Sequence, residues 1–333
     1  MTARHEHVQT IGISGFSIGT CEDQEGITGV SVILAPREGA CAGVDVRGCA
    51  PGTRETDLLK PDKTVQKIHA VVLAGGSAFG LDAAGGVMSY LSEKGVGFPV
   101  GDVTVPIVCG AVLFDLCIGN SHAYPSRHMG YLAAERASKR IKTGNAGAGM
   151  GATVGKLLGF DKSMKSGVGY HELHGAGGLS VGAYVAVNAC GEIFSASGAE
   201  AGALNDTHDR IVSSHELMLN GYRRNLEGAN TTIGCILTNA VLTKAECRVV
   251  CGMAHDGYAL AIRPVHTSMD GDTVFAMASG KVQAALDTVG YMAETAMKQA
   301  ILDAVRSAET LGGMISASDL RLQKRETQNN LDK

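Results

Sequence analysis

The residues with the clearest chemical potential lie at Asn230-Thr231-Thr232, within the small-residue stretch Gly228–Gly234. A threonine hydroxyl is a poor nucleophile at neutral pH unless a base lies beside it. An α-amine on the same residue, with an ordinary pKa of about 7.7–8.0, is such a base. Thr231 gains a free amine only when the bond before it breaks, so we hypothesise self-cleavage between Asn230 and Thr231 through an ester that water opens. The alternative is a turn entering a strand, because asparagine tolerates left-handed backbone.

Two carboxylates flank a turn glycine at Asp270-Gly271-Asp272, after Arg263-Pro264-Val265-His266. Such a pattern is typical of a surface turn. Neighbouring like charges also push pKa values apart, so the same pair can handle protons. Both interpretations stay open. The segment lacks the remaining ligands of a calcium loop.

A glycine-rich loop at residues 144–159 contains Gly147 and Gly149 and leads to Lys156. Its G-x-G-x-x-A pattern follows a basic helix end instead of a strand, which argues against a dinucleotide site. A phosphate-binding loop also fails, because Leu157 follows Lys156 where serine or threonine is needed. What remains is a backbone-exposing loop that delivers a lysine.

Two further features leave alternatives open. The glycines of Gly75–Gly80, between a predicted strand and a predicted helix, either present N–H groups to an anion or carbonyl oxygen or let the helix pack closely. Asn188, at the end of a predicted strand, either donates its amide to an oxyanion or caps a turn.

A metal site is not predicted. Cys247, Cys251 and His255 follow a helical spacing, but the outer two lie about 12 Å apart along the axis at 1.5 Å per residue, too far for one ion. They are interpreted as core residues. His266 and the other histidines have no metal-binding spacing. We expect neither a metal nor an organic cofactor.

Composition bounds the class of protein. The chain has 333 residues, 45% hydrophobic and 19% charged, as in soluble globular proteins. A formal charge of −4 gives no electrostatic argument for nucleic acid or an anionic membrane. Nine cysteines without motif spacing, and no apolar signal segment after Met1, predict a cytoplasmic protein with reduced thiols. The 45 glycines suggest tight turns and closely packed layers.

Strands are predicted in pairs with long helices between them, which favours two packed sheets flanked by helices. Ile27–Leu34 and Cys41–Val46 are predicted to form a hairpin, and Glu192–Ser197 to continue a hairpin from Leu179–Asn188. Thr243 and Glu246 form a capping box that opens a helix to about His255, with Gly257 as its stop signal, and the tail beyond about Ser316 is predicted to be loose. The other predicted elements are strands His69–Leu73, Ile233–Thr238 and Asp272–Ala278, and helices Leu81–Lys94, Met129–Ile141, Ile211–Asn225 and Val282–Thr310.

These motifs together resemble the L-aminopeptidase/D-esterase family of self-processing N-terminal-nucleophile hydrolases, which includes β-peptidyl aminopeptidases and 6-aminohexanoate oligomer hydrolases. The resemblance covers nearly the whole chain, from about Gly15 to Leu311. It is carried by five segments: Leu73–Leu81, Phe114-Asp115, Gly147–Met150, Asn230–Ile233 and Met269–Thr273.

The resemblance implies a four-layer αββα sandwich within residues 1–315, cut into an α subunit (1–230) and a β subunit (231–333), with 316–333 as a polar tail. It implies Thr231 as nucleophile, Lys156 and an oxyanion-side Asn188 as partners, and Asp270 and Asp272 as a pair that orients the nucleophile and assists cleavage. Thr231 with two aspartates is similar to the nylon-oligomer branch, whereas the aminopeptidase branch uses serine.

The same resemblance assigns Gly147, Gly149 and Phe114 to an oxyanion or substrate loop. Phe114 stands where characterised members carry an active-site tyrosine, a departure that bears on substrate choice more than on the reaction. The expected function is therefore amide hydrolysis on a short peptide or peptide-like substrate, by a homotetramer of αβ pairs. The alternative is an uncleaved, non-catalytic binding protein on the same scaffold.

Overall fold

The structure is a computed structural model that describes residues 7–221 and 230–331. Gly228 and Ala229, and the last residues of the helix predicted at Ile211–Asn225, lie outside the described residues. The strands are β1 Val8–Thr10, β2 Ser17–Asp23, β3 Thr28–Leu34, β4 Ala40–Val46, β5 Gly52–Arg54, β6 Lys67–Ile68, β7 Ala70–Ala74, β8 Phe98–Val100, β9 Val103–Val105, β10 Val108–Val112, β11 Arg140–Lys142, β12 Thr153–Val154, β13 Met164–Lys165, β14 Val168–His174, β15 Ser180–Asn188, β16 Glu192–Ser195, β17 Gly198–Ala201, β18 Thr231–Ala240, β19 Ile262–Arg263 and β20 Thr273–Val282. The α-helices are α1 Ala83–Glu93, α2 Arg127–Glu135, α3 Ser214–Leu219, α4 Lys244–Ala261, α5 Leu286–Arg306 and α6 Ala317–Leu331.

Two sheets form the centre of the molecule. One has the strand order β2-β3-β7-β10-β5, and the other has the order β14-β15-β18-β20-β4-β6. Pairing is antiparallel except between β7 and β10 and between β18 and β20. Strands that are buried on both faces read as continuous apolar runs, which explains why β7 and β18 are predictable from the sequence.

The sheets pack face to face, and each is covered by helices on its other side. Along β20, Phe275 and Met277 join the core between the sheets, whereas Val274 and Ala276 join the core beneath α4 and α5. A third core lies between the five-stranded sheet and helices α1 and α2. This alternation along the strand gives four layers, so the predicted αββα sandwich is confirmed.

Glycine allows the helix layers to approach closely. A Cβ atom on Gly130 of α2 would lie 2.0 Å from the carbonyl oxygen of Ala83, and one on Gly86 of α1 would lie 1.7 Å from that of Arg127. Neither gap can hold a side chain, so α1 and α2 pack almost backbone to backbone. The high glycine content has this structural use.

The hairpin predicted for Ile27–Leu34 and Cys41–Val46 is wrong, although both strands exist. β3 belongs to the five-stranded sheet and β4 to the six-stranded sheet, so the turn at Pro36–Gly39 carries the chain from one sheet to the other. The predicted continuation from β15 into Glu192–Ser197 is also wrong, because β16 pairs with β17 and β19. Turn residues look alike whether the next strand pairs locally or crosses to another sheet.

The end of α4 also differs from the prediction. The capping box at Thr243 and Glu246 is confirmed, but α4 runs past Gly257 to Ala261. The close approach of α5 leaves no room for a side chain at Gly257. A Cβ on it would lie 2.5 Å from the Glu294 carbonyl oxygen.

The tail beyond Ser316, predicted to be loose, forms α6. The Ser316 hydroxyl accepts the Asp319 N–H at 3.2 Å, and Leu320 is buried in the core of the second sheet and its helices. Ala317 is buried in the same core, and so few apolar anchors in a polar segment give little sequence signal. No helix in the described part of the chain is both long and apolar enough to cross a bilayer.

Candidate active site

Five of the predicted site residues, Lys156, Asn188, Thr231, Asp270 and Asp272, lie where strands of the six-stranded sheet begin or end. Strand β18 begins at Thr231, and its neighbour β15 runs antiparallel and ends there, with Asn188 opposite Thr231. The strand on the other side, β20, runs parallel to β18, and a bridge pairs Asn230 with Asp270. Three strand ends from distant parts of the sequence therefore bring their polar residues together.

The bond between Asn230 and Thr231 is buried and held at its carbonyl. Asn230 is fully buried, and Thr231 is only 4% exposed. The Thr231 hydroxyl contacts the Asn230 carbonyl oxygen, which also accepts the Gly271 N–H at 2.9 Å. The hydroxyl thus lies against the carbonyl that it would attack, and a backbone donor already points at the oxygen on which charge would develop.

Asp272 is held by N–H donors on both of its oxygens. One oxygen accepts the Thr232 N–H at 2.7 Å. The other accepts the backbone N–H of His266 at 3.3 Å and its Nδ1–H at 2.8 Å. A carboxylate with three such donors is a fixed anion, and through Thr232 it contacts the residue directly after the nucleophile.

Asp270 has a different environment. One oxygen accepts the Thr267 N–H at 2.7 Å and the Thr267 hydroxyl at 2.6 Å, and the other has no hydrogen-bond partner among the described residues. Burial, reinforced by the charge of Asp272, raises the pKa of Asp270 to about 6. The two carboxylates of the pair are thus held differently, as a proton-handling pair requires.

Lys156 is fully buried near these strand ends, and its Nζ donates to Asn188 O at 2.9 Å and to Asn188 Oδ1 at 2.6 Å. Burial lowers the pKa of Lys156 to about 7, because the charged ammonium loses its hydration, although the nearby Cys190 and Asp270 oppose this shift. A lysine with such a pKa exchanges its proton near neutral pH. Lys156 is therefore a buried lysine and not a solvated surface group.

Asn188 links this lysine to the glycine-rich loop and to Phe114. Its Oδ1 also accepts the Thr153 N–H at 3.1 Å, and its Nδ2 donates to the Phe114 carbonyl at 2.9 Å. The Phe114 ring is half-buried, with its centroid 6.3 Å from that of Phe160. The structure therefore brings Phe114 to the Lys156–Asn188 unit through its backbone.

The two loop glycines, in contrast, use their N–H groups inside the fold. Gly147 donates to Glu22 at 2.6 Å, and Gly149 donates to the Ala146 carbonyl at 2.9 Å. The buried Lys165 donates to the Gly149 and Ala152 carbonyls at 2.9 and 3.1 Å. These contacts shape the loop that delivers Lys156, and they give the Gly147 and Gly149 amides no direct contact with Thr231.

The Gly75–Gly80 loop is likewise occupied by internal hydrogen bonds. The Gly76 N–H donates to the buried Asp115 at 2.7 Å, and the Gly75 and Ser77 N–H groups donate to backbone carbonyls at 2.9 Å. Burial raises the pKa of Asp115 to about 6. Of the two alternatives for this loop, the contacts favour a packing role.

No group of three or more potential metal ligands occurs within residues 7–221 and 230–331. Cys247 and Cys251 are core residues, and the His255 Nε2–H donates to the Asp45 carbonyl at 3.0 Å. His266 is the site residue that the sequence analysis missed, because it was tested only for metal-binding spacing. The sequence feature that could have pointed to His266 is its position six residues before Asp272.

Comparison with known proteins identifies the family. The family model described as Peptidase family S58 matches residues 10–318, which is most of the chain. The chain belongs to peptidase family S58. An S58 relative in Mycobacterium leprae, an uncharacterised aminopeptidase, is 39% identical over 318 residues, covering 86% of this chain and 84% of that protein.

Two other relatives extend the comparison. The 6-aminohexanoate-oligomer endohydrolase of Kocuria sp. (strain KY2) is 29% identical, covering 88% of this chain and 84% of that protein. The solved structure of an L-aminopeptidase D-Ala-esterase/amidase from Ochrobactrum anthropi, an N-terminal-nucleophile hydrolase fold, superposes with a TM-score of 0.71 at 17% identity, covering 96% and 93% of the two chains. The S58 chain therefore has this fold.

Membership of family S58 confirms the function predicted from the sequence at the level of the family. The S58 protein is therefore a hydrolase that acts on amide bonds. The resemblance to the L-aminopeptidase/D-esterase family is confirmed by the same comparisons.

Proposed function

We propose that the chain cuts itself between Asn230 and Thr231, and that the freed Thr231 is the nucleophile of amide hydrolysis. One observation carries the proposal. The Thr231 hydroxyl contacts the Asn230 carbonyl, and that carbonyl oxygen accepts the Gly271 N–H at 2.9 Å. The cut divides the chain into an α subunit of residues 1–230 and a β subunit of residues 231–333.

Self-cleavage begins when the Thr231 Oγ1 attacks the Asn230 carbonyl carbon. The Oγ1–C bond forms and the C–N bond breaks, so the Asn230 acyl group moves from nitrogen to oxygen. The hydroxyl proton passes to a nearby base, and the departing nitrogen takes up a proton as the α-amine. Water then hydrolyses the ester, which leaves the Asn230 carboxylate and a free Thr231. The Gly271 N–H stabilises the oxyanion of the first step.

In turnover, the Thr231 hydroxyl attacks the substrate amide and its own α-amine accepts the proton. An acyl-enzyme forms, the substrate amine leaves with a proton, and water releases the acid. Asn188, which lies opposite Thr231 in the sheet, holds the oxyanion together with backbone N–H groups.

Lys156 and the two aspartates divide the remaining roles. Lys156, with a pKa of about 7, is the base for self-cleavage, because its neutral form is populated near neutral pH and can accept a proton. Asp272 fixes the strand start through the Thr232 N–H. Asp270 has a pKa of about 6, and its ionised carboxylate stabilises the new α-ammonium group of Thr231.

The substrate class is a short peptide or peptide-like amide with a free amine. The names of the relatives support it, since they describe an aminopeptidase and an oligomer endohydrolase that both cut linear amides. Phe114 and Phe160 make the neighbourhood of Lys156 apolar on one side. This favours an uncharged group in the substrate next to the bond that is cut.

The setting of the enzyme is also part of the proposal. All nine cysteines are free thiols, which supports a reducing cytoplasm. The proposed assembly of the mature protein is the homotetramer of αβ pairs that the resemblance implies. Light scattering of the mature protein tests this assembly.

The deciding experiment is the intact mass of the purified protein beside the Thr231→Ala variant. The wild type should give two fragments that meet at Asn230/Thr231, and the variant should give one full-length species. Hydrolysis of aminoacyl p-nitroanilides should then accompany the cut form only. A wild-type chain that stays full length through long incubation at neutral pH has no free α-amine, and it would leave the uncleaved binding protein as the better account.

A further inference from the structure

His266 holds Asp272 with two donors at once. It lies in the loop between β19 and β20, and its backbone has φ +53°, a left-handed conformation that is uncommon for residues other than glycine. In this conformation, both its backbone N–H and its ring Nδ1–H reach the same oxygen of Asp272, at 3.3 and 2.8 Å. The ring nitrogen must be the donor, because an ionised carboxylate only accepts.

The ring of His266 is itself fixed by packing on α4. It stacks on Tyr258, with centroids 6.0 Å apart and planes at 28°, and it meets His255 edge-on at 4.8 Å. His255 is anchored at the Asp45 carbonyl. A ring that is held on two sides keeps its Nδ1 aimed at Asp272, so the loop conformation and the packing serve one hydrogen bond.

Asp272 and Tyr258, the two residues that His266 contacts, each bind one backbone group of Thr232. The Thr232 N–H donates to Asp272 at 2.7 Å, and the Tyr258 hydroxyl donates to the Thr232 carbonyl at 3.3 Å. Thr232, Asp272 and Tyr258 are all buried. Asp272 thus binds the Thr232 N–H and Tyr258 binds the Thr232 carbonyl. The His266 ring contacts both Asp272 and Tyr258, so it links the two.

We propose that His266 is a positioning residue of this enzyme: through Asp272 and Tyr258 it fixes Thr232, and thereby aims Thr231. The inference rests on the proposed function. In the intact chain, covalent bonds hold Thr231 on both sides. After the cut, only the peptide bond to Thr232 tethers it. The support given by His266 therefore matters more for turnover than for self-cleavage.

This asymmetry makes the inference testable with two substitutions at one position. His266→Ala removes the Nδ1 donor and the stacked ring. His266→Asn keeps a side-chain N–H the same number of bonds from the backbone, and asparagine is among the residues that tolerate a positive φ. His208→Ala is the matched control, because His208 has φ +56° and lies on the surface.

Cleavage is followed by intact mass, and kcat and KM are measured on the cleaved fraction with an aminoacyl p-nitroanilide. We expect His266→Ala to complete its self-cleavage and then to show a kcat about 100-fold lower, since small misplacements of a reacting group have effects of this size. Its KM should stay within about twofold of the wild type, because binding groups are untouched. His266→Asn should recover most of the lost kcat, and His208→Ala should match the wild type.

Three results would overturn the inference. The first is a cleaved His266→Ala enzyme with wild-type kcat. The second is an equal loss of kcat in His266→Ala and His266→Asn, which would mean that the side-chain donor has no part in it. The third is a wild-type chain that never cleaves, which removes the proposed function as well; the first two results leave that function intact.

Discussion

Lys156 and Asp270 are both withdrawn from water, and burial moves their pKa values towards each other. The pKa of Lys156 falls to about 7 and that of Asp270 rises to about 6. Near neutral pH the amine is partly neutral and the carboxyl is mostly ionised. Lys156 is the proposed base for the hydroxyl proton of Thr231 in self-cleavage, and the pH at which cleavage slows distinguishes it from Asp270.

The rate of self-cleavage should follow the neutral form of Lys156. Below pH 7 the neutral fraction falls about tenfold per pH unit, so the rate should fall with it, and above pH 7 it should level off. Chain recovered unfolded from inclusion bodies can be refolded at pH 5.5 to 8.5, with cleavage followed on denaturing gels. Lys156→Arg, which keeps its charge at every pH, should not cleave.

The control for this substitution is Lys162→Arg. Lys162 pairs with Asp206 at 3.2 Å and lies only six residues away, so the change should leave the rate and its pH dependence unaltered. A midpoint near 6 together with cleavage by Lys156→Arg would transfer the role of base to Asp270.

At the scale of elements, the sequence predicts strands and helices better than it predicts their partners. The apolar run of β18 and the capping box of α4 are local signals, and both are confirmed. The pairing of β3 and β4 depends on which sheet each strand joins, which no local pattern records. The site divides in the same way. Thr231, Asp270 and Asp272 have recognisable motifs, whereas the part played by His266 depends on a left-handed backbone.

Two glycines of α4 should respond in opposite directions to alanine. At Gly257 the new Cβ would lie 2.5 Å from the Glu294 backbone oxygen, so Gly257→Ala should destabilise the fold by about 1–3 kcal/mol. At Gly252 the nearest atom is the flexible Arg47 guanidinium, 3.4 Å away. There the better helix propensity of alanine should stabilise the fold by roughly 0.5–1 kcal/mol.

Urea unfolding in the uncleaved Thr231→Ala background measures both changes on a single chain. Because the two positions share one helix, the Gly252→Ala variant serves as the control for Gly257→Ala. Equal effects at the two positions would mean that the close contact between α4 and α5 does not govern the helix pair.

At the scale of the whole molecule, the two proposed subunits are interleaved. The six-stranded sheet has the order β14-β15-β18-β20-β4-β6. Its central pair, β18 and β20, belongs to residues 231–333, and the strands on both sides belong to residues 1–230. The core between the sheets and the core beneath α4 and α5 contain side chains from both segments.

The cut should therefore leave one particle. On native size exclusion the wild type and the Thr231→Ala variant should elute at the same volume, and the two wild-type fragments should separate only in denaturant. The physical reason is that separation breaks backbone hydrogen bonds on both flanks of the central strand pair and exposes both cores. Elution of free fragments from the native column would contradict this account of the sheet.

The hydrogen bond from the Gly271 N–H to the Asn230 carbonyl has one further consequence. Its two residues are forty-one positions apart in the sequence and meet only when β18 and β20 have aligned. A chain that misfolds lacks this donor and keeps its peptide bond whole. Under the proposed mechanism self-cleavage therefore depends on correct folding, and the cut fraction on a denaturing gel should equal the fraction of molecules that have assembled correctly.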